Sequence, residues 1–287
     1  MIAILKREFR SYFSSPMGFI YMGFFLLFMG IFFTMINLMN RSPQFSGFLG
    51  NMLFIYIFAI PMLTMRLFSE ERRQKTDQLL LTSPVSVGEI VLGKFLAAFL
   101  LFVLTLAVTI LYAIVIAVFG ELAIAETIGS YIGFLFLGAS YISLGIFISA
   151  ATEHQITAAM ITFFVLMVIL LIDSLSQIFP TDIKSGIIAA GVLGAALCLF
   201  LYLNTRNIFI ALGAAVLCAA LITGLFFFNR MLFNGFIRKF FSWFSLNNRY
   251  NDFARGILKV ESLFYYLSFS GLFLFLTAQR IEKRRWN

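Results

Sequence analysis

The sequence predicts an all-α polytopic membrane protein, and three observations carry that prediction. Mean hydropathy is +0.98 and 61% of the 287 residues are hydrophobic, while only 12% are charged; soluble domains keep about a quarter of their residues charged. Phenylalanine occurs 38 times, as suits helices that face lipid and can be apolar all round. The apolar residues fall in runs of roughly twenty, the length a helix needs to cross a bilayer about 30 Å thick. No stretch is polar enough to form a water-soluble domain.

Met1–Ser15 reads as an amphipathic helix lying at the membrane surface. Ile2, Leu5, Phe9, Tyr12 and Phe13 fall on one face, and Lys6, Arg7 and Arg10 on the other. Ser15-Pro16 breaks it as the chain enters the bilayer. The first span, Met17–Asn40, is too long for a signal-peptide core and no small-residue cleavage site follows, so a cleaved leader is not expected. The second span is Phe48–Phe68. A charged stretch, Ser69–Lys94, separates it from the third, Phe95–Phe119. Ile128–Ala151 and Thr157–Phe179 are the fourth and fifth. Ser185–Leu203 and Ile208–Phe228, divided only by Asn204-Thr-Arg-Asn207, read as the sixth and seventh, and Ser262–Thr277 with its flanks is the last. Eight spans are expected, six core ones and an extra hairpin. A six-span chain, with Ser185–Phe228 as a shallow or external hairpin, is the alternative.

An even number of spans puts both ends on one side. That side collects Lys6, Arg7, Arg10, Arg66, Arg72, Arg73, Lys75, Lys94, Arg206, Arg280, Lys283, Arg284 and Arg285, thirteen of the 21 basic residues. The positive-inside bias then makes both ends and the charged stretch cytoplasmic. The loop Gly120–Thr127, with Glu121 and Glu126 and no base, is external by the same rule, although Arg230, Arg238, Lys239, Arg249, Arg255 and Lys259 on that side narrow the margin. The net charge of +8 therefore reflects topology and contact with anionic lipid rather than nucleic-acid binding.

The charged stretch is the most specific part of the chain. Glu70, Glu71, Arg72, Arg73, Lys75 and Asp77 lie within eight positions, followed by Gln78, Leu79, Leu80 and Leu81 and then Thr82-Ser-Pro84. A bilayer will not hold such charge, and good helix formers argue against a loose loop. A helix is expected over Ser69–Leu81, with an apolar stripe toward the bundle and a charged face outward. Pro84 disfavours a helical residue before it and ends that helix. Ser86-Val-Gly-Glu89 matches a capping box, which starts a new helix through Gly93-Lys94 into the third span. Charges alone could merely keep a loop wet, but this ordered succession is more particular than that.

Glu71-Arg-Arg73, Thr76-Asp77, Leu79-Leu-Leu-Thr82 and Pro84-Val-Ser86, followed by Gly93-Lys94, resemble the permease subunits of type 2 ABC transporters, and most of all their gliding-motility-type branch. The resemblance covers Met1–Lys94 and, less closely, the last 35 residues. It implies six core spans, an interfacial helix before the first, and a segment that couples the bundle to a separate ATPase. Its coupling residues would be Glu70, Glu71, Arg72, Arg73, Thr76, Asp77, Gln78, Leu79, Leu80, Pro84 and Glu89. Polar contacts to the motor are expected from Glu71, Arg72, Arg73 and Asp77, while Leu79, Leu80 and Pro84 hold the segment to the bundle. ATP and Mg would sit on that partner ATPase, and this chain would bind no cofactor of its own. A second permease copy or a related permease, membrane lipid and an accessory membrane protein with an external domain complete the expected partners. The bacterial inner membrane is the expected location.

Asn229–Glu261 is the other unusual stretch. Phe233, Phe236, Ile237, Phe240, Phe241 and Phe244 recur at helical spacing, as in an interfacial helix anchored by aromatics. Asn247–Leu258 resembles the segment that closes the external exit in the same permeases, which would make Phe253, Arg255, Gly256 and Leu258 gate candidates; a lipid-facing belt is the plain alternative. Asp173 is expected near the end of its span, snorkelling or capping rather than relaying protons. Asn37, Asn40, Thr105 and Thr109 could hydrogen-bond between helices. Glu153 and His154 fall in a short cytoplasmic turn, and Cys198 and Cys218 read as small apolar residues. No hydrolase, metalloprotease or G-x-x-x-x-G-K-[ST] motif occurs, so any ATP-driven step belongs to another polypeptide. An ion-driven secondary transporter would want paired intramembrane carboxylates, and an intramembrane enzyme convergent nucleophiles or metal ligands; both are the weaker readings.

Overall fold

Pro16 sets the first boundary of the fold. In the computed structural model Ser15 is extended (φ −112°, ψ 154°) and Pro16 opens the next helix at its first position, where a missing N–H costs nothing. The structure describes residues 1–76, 85–178, 208–228 and 245–285, with isolated positions between 182 and 199 and between 234 and 243. In chain order the helices are α1 (Ile2–Ser14), α2 (Pro16–Phe33), α3 (Phe45–Asn51), α4 (Tyr56–Thr64), α5 (Ser69–Arg73), α6 (Val87–Val108), α7 (Ile110–Phe119), α8 (Ile124–Ala151), α9 (Gln155–Ile178), α10 (Ile208–Phe228), α11 (Leu246–Ala254) and α12 (Val260–Arg285). A π-turn over Thr34–Met39 extends α2, and a 3₁₀ turn over Met52–Ile55 joins α3 to α4.

The chain divides into two units, Met1–Leu170 with Leu246–Asn287, and Leu171–Ser245. Among the described residues six helical segments have the length and apolar composition to cross a membrane: Pro16–Met39, Phe45–Arg73, Val87–Phe119, Ile124–Ala151, Gln155–Ile172 and Val260–Arg284. They match the expected first five spans and the last. The expected seventh is a 21-residue helix, α10, whereas about half of Ser185–Leu203 falls outside the described residues. Phe233, Phe236, Ile237, Phe240, Phe241 and Phe244, and the side chain of Asp173, lie outside the described residues.

In the first unit α8 is the central helix. Gly129, Gly133, Gly138 and Gly145 run along it, and a Cβ on Gly138 would come within 2.7 Å of the Phe102 ring of α6, while one on Gly145 would meet Thr64 of α4 at 3.0 Å. Small residues let backbones approach closely, which substitutes for hydrophobic driving force inside lipid. Phe25, Tyr56, Phe102 and Phe134 form the aromatic centre, with Tyr56 and Phe134 rings 4.6 Å apart. The Tyr56 hydroxyl donates to the Phe134 carbonyl at 2.6 Å, so this buried phenol is satisfied. Of the four residues expected to bond between helices, only Thr109 does, lying 3.1 Å from the Tyr131 hydroxyl. Asn37 instead closes its own loop on Ser42 and Gln44, Asn40 bonds the Met35 carbonyl, and Thr105 the Leu101 carbonyl within its helix.

Candidate functional site

The charged stretch meets the bundle where α1, α5 and α6 converge. The capping box at the start of α6 is present: Ser86 accepts from the Glu89 amide at 3.3 Å, and Glu89 accepts from the Ser86 amide at 3.4 Å. One turn on, a Cβ at Gly93 would lie 3.0 Å from Ile4 of α1 and 3.3 Å from the Met1 carbonyl. Glycine there lets α1 lie directly on α6.

The next residue, Lys94, is 1% exposed. Its ammonium donates to the Leu67 carbonyl at 2.6 Å, in the turn between α4 and α5, and pairs with Glu71 of α5 at 2.9 Å and Glu8 of α1 at 3.2 Å. It also lies 5.0 Å from the centre of the Phe68 ring. The ammonium thus has two hydrogen bonds and two carboxylates beside it, which is what makes burial of the charge tolerable. Arg7 adds contacts to Glu8 at 2.6 Å and Glu71 at 3.1 Å. Burial would lower the Arg7 pKa, but the two carboxylates outweigh it and the net shift is upward, so the guanidinium stays charged. Tyr12 of α1 is buried, which pushes its phenol well up; it remains a neutral donor to the Leu63 carbonyl at 2.9 Å.

A second set of contacts fastens α5 to α8. The Ser149 hydroxyl accepts from the Phe68 and Ser69 amides at 3.2 and 3.3 Å and donates to the Met65 carbonyl at 3.1 Å, capping α5 from another helix. Arg72 donates to the Ala150 carbonyl at 3.2 Å and to Glu153 at 2.8 Å. Arg66 pairs with Glu70 at 3.2 Å and donates to the Ser15 hydroxyl at 3.0 Å. A cleft of about 300 Å³ remains between Arg7, Glu8, Arg66, Glu71, Gln74 and Lys94.

The helix expected over Ser69–Leu81 stops at Arg73. Gln74 is the cap, Lys75 turns left-handed (φ +57°), and the Thr76 amide returns to the Glu71 carbonyl at 3.0 Å while the Lys75 amide bonds the Arg72 carbonyl at 3.1 Å. This is a Schellman ending with lysine where glycine is usual, and without a glycine the sequence carries no sign of it. Glu71 and Arg72, expected to point outward, are turned into the protein, their side chains 18% and 12% exposed. Arg73, Lys75 and Thr76 are exposed, and Glu89 is half-exposed in its capping box. Asp77, Gln78, Leu79, Leu80 and Pro84 lie outside the described residues. Sequence reasoning missed Glu8 and Ser149 altogether. Glu8 carried a signal, being the one acid in the N-terminal amphipathic helix, and Lys94 at the edge of an apolar run demands such a partner.

Gly88 and Gly93-Lys94 have the spacing of a phosphate-binding loop but Phe95 where it needs a hydroxyl, and the whole segment lies inside α6 with its lysine already paired.

The gate candidates lie at the other end of α8. Phe253 is buried on α11, against Gly133 of α8, where a Cβ would come within 2.7 Å of it. The Phe253 carbonyl leaves no room for a Cβ on Gly129. Gly256 (φ +74°) reverses the chain, a Cβ on it would lie 3.2 Å from the Glu126 amide nitrogen, and Asp252 pairs with Lys259 at 3.0 Å across the turn. Arg255 and Leu258 are exposed. The structure thus brings Glu71, Arg72 and Glu89 near one end of the bundle and Phe253 and Gly256 near the other.

Apolar helices of spanning length with a polar, ion-paired joint at one end define a multi-pass membrane protein with a charged segment held against its bundle. The family model described as ABC-2 family transporter protein matches residues 33–191, more than half of the chain. The chain belongs to that family, the membrane component of ABC transporters, whose members usually work with an ABC ATPase and are not themselves the ATPase. The match includes the charged segment and α8, and ends before α11. No curated protein matches the chain.

Proposed function

We propose that the chain is the permease subunit of an ATP-driven exporter of the gliding-motility-type branch, in a bacterial inner membrane with both termini cytoplasmic. Two copies, or one copy and a related permease, form the pathway between them, with lipid around them and an accessory membrane protein on the external side. A separate ABC ATPase holds ATP and Mg. Its closure pushes on the charged segment, and Phe253, Arg255, Gly256 and Leu258 close the external exit. Such coupling requires contacts that differ between the two states, or no work is transmitted.

The observation that carries this reading is the two-sided character of the charged segment. Glu70, Glu71 and Arg72 fasten it to Arg66, Lys94 and the end of α8, while Arg73, Lys75 and Thr76 stay exposed on the same turn. A segment held on one face and open on the other suits a part that receives a push. The experiment is purification of the tagged full-length chain from its native membrane. An ABC ATPase is expected in near-equal amount, with its ATP hydrolysis altered by the chain, and Arg73→Glu with Lys75→Glu should strip it away. Arg72 is a poor choice for this test, because reversing it also breaks the contact to Glu153. A parent chain that brings down no ATPase, or a double variant that binds as well as the parent, would sink the reading.

A further inference from the structure

We propose that Gly93 and Lys94 are the joint through which movement of the charged segment reaches both α6 and α1, an inference that rests on the proposed coupling to an ATPase. Lys94 holds partners from two stretches remote in sequence: Glu8 on α1, and Leu67 with Glu71 at the start of α5. At Gly93 a Cβ would press on Ile4 and the Met1 carbonyl, so glycine lets α1 lie against α6 at this level. α1, α5 and α6 therefore meet at one ammonium.

Burial decides how such a joint behaves. Surface ion pairs slip and are screened by salt, whereas removing one partner of a buried pair leaves an uncompensated charge. Lys94 is 1% exposed, with Glu8 and Glu71 13% and 18% exposed, so separating α5 from α6 would strand a charge. Moving them together does not. On the opposite side of α5 the Arg72–Glu153 pair is open to water, with Glu153 64% exposed, while buried Ser149 holds the start of α5 to α8 through neutral hydrogen bonds. The buried charge therefore obliges α6 and α1 to follow α5 when it moves. The cleft beside it is not an anion site: Arg7, Arg66 and Lys94 are matched by Glu8, Glu70 and Glu71, all within the same contacts.

The test uses the full-length chain in complex with its ATPase, compared by hydrogen exchange without nucleotide and with ATP and orthovanadate. In the parent, trapping should change protection in residues 69–76 and also in α1 and the first turns of α6. In Lys94→Met, which keeps the length of the side chain, the ATPase should still co-purify, the change over 69–76 should persist, and the changes in α1 and α6 should be lost. Glu8→Gln should lose the change in α1 alone and keep that in α6, which a general loss of stability would not do; it also carries the test should Lys94→Met fail to fold. An unaltered spread of the change in both variants, or a parent whose change stays confined to 69–76, overturns the joint while leaving the coupling to an ATPase standing. A parent that binds no ATPase overturns both.

Discussion

Arg72 and Glu153 meet at 2.8 Å across 81 residues of sequence, tying the charged segment to the turn between α8 and α9. The two sides of this contact are unequal. Arg72 is 12% exposed and also donates to the Ala150 carbonyl, whereas Glu153 is 64% exposed. Glu153→Gln should therefore cost no more than an exposed pair does, about 0.2–1 kcal/mol. Arg72→Met strips a donor from a partly buried carbonyl as well, and about 1–3 kcal/mol is expected. Melting midpoints of the purified protein should order as parent, Glu153→Gln, Arg72→Met; equal losses for the two variants would contradict the asymmetry.

Lys75 occupies a left-handed position, φ +57°, at the end of α5. A side chain with a Cβ is strained there by about 1 kcal/mol, and glycine is not. Lys75→Gly should consequently hold or raise the melting midpoint by a few degrees although it deletes a charge, while Lys75→Val, branched at Cβ, should lower it. A Lys75→Gly variant clearly less stable than the parent would mean that the turn is not left-handed in the native protein.

The docking of α11 onto α8 gives a third prediction. Gly129 faces the Phe253 carbonyl with no room for a methyl group, and backbone cannot rotate away as a side chain can. Gly129→Ala should cost about 1–3 kcal/mol through overpacking and loosen α11. Arg249, whose side chain is 13% exposed beneath Tyr265, would then open to trypsin. Faster cleavage after Arg249 is expected in the variant, and an unchanged rate would show that α11 does not depend on this close approach.

What could be read from the sequence follows what acts locally. Lipid imposes a length on every span, so the six spanning helices found among the described residues, and their order, are legible from hydropathy as six of the eight spans it predicts. Ser86 and Glu89 announced the start of α6 because a capping box closes within one turn. The joint was not legible in the same way. Lys94 was visible as a base at the rim of a span, but the pairing with Glu8 spans 86 residues and leaves no periodic trace. The charge pattern of Ser69–Asp77 suggested an outward face, yet charges point inward when a buried cation waits for them, as Glu71 does. Phe253 was singled out without its partners, since the Gly129 and Gly133 row of α8 was passed over as ordinary apolar sequence although small residues four apart mark close packing in membranes.

Ser86 offers the last prediction, on the link between that local signal and the joint seven residues on. Its hydroxyl accepts from the Glu89 amide at 3.3 Å, one of four amides at a helix start that have no partner within the helix. Ser86→Ala should cost about 1 kcal/mol and Ser86→Gly only a few tenths, because glycine exposes the amides to water while alanine covers them and offers no acceptor. Local opening of the first turn should rise correspondingly, so amides of Val87–Ile90 should exchange about fivefold faster in Ser86→Ala, the factor that about 1 kcal/mol gives. Lys94 lies two turns farther along the same helix, held by its own partners, and exchange beyond it should stay unchanged. Fraying in Ser86→Ala that runs past Lys94 would mean that the cap, and not the buried lysine, fixes the start of the third span.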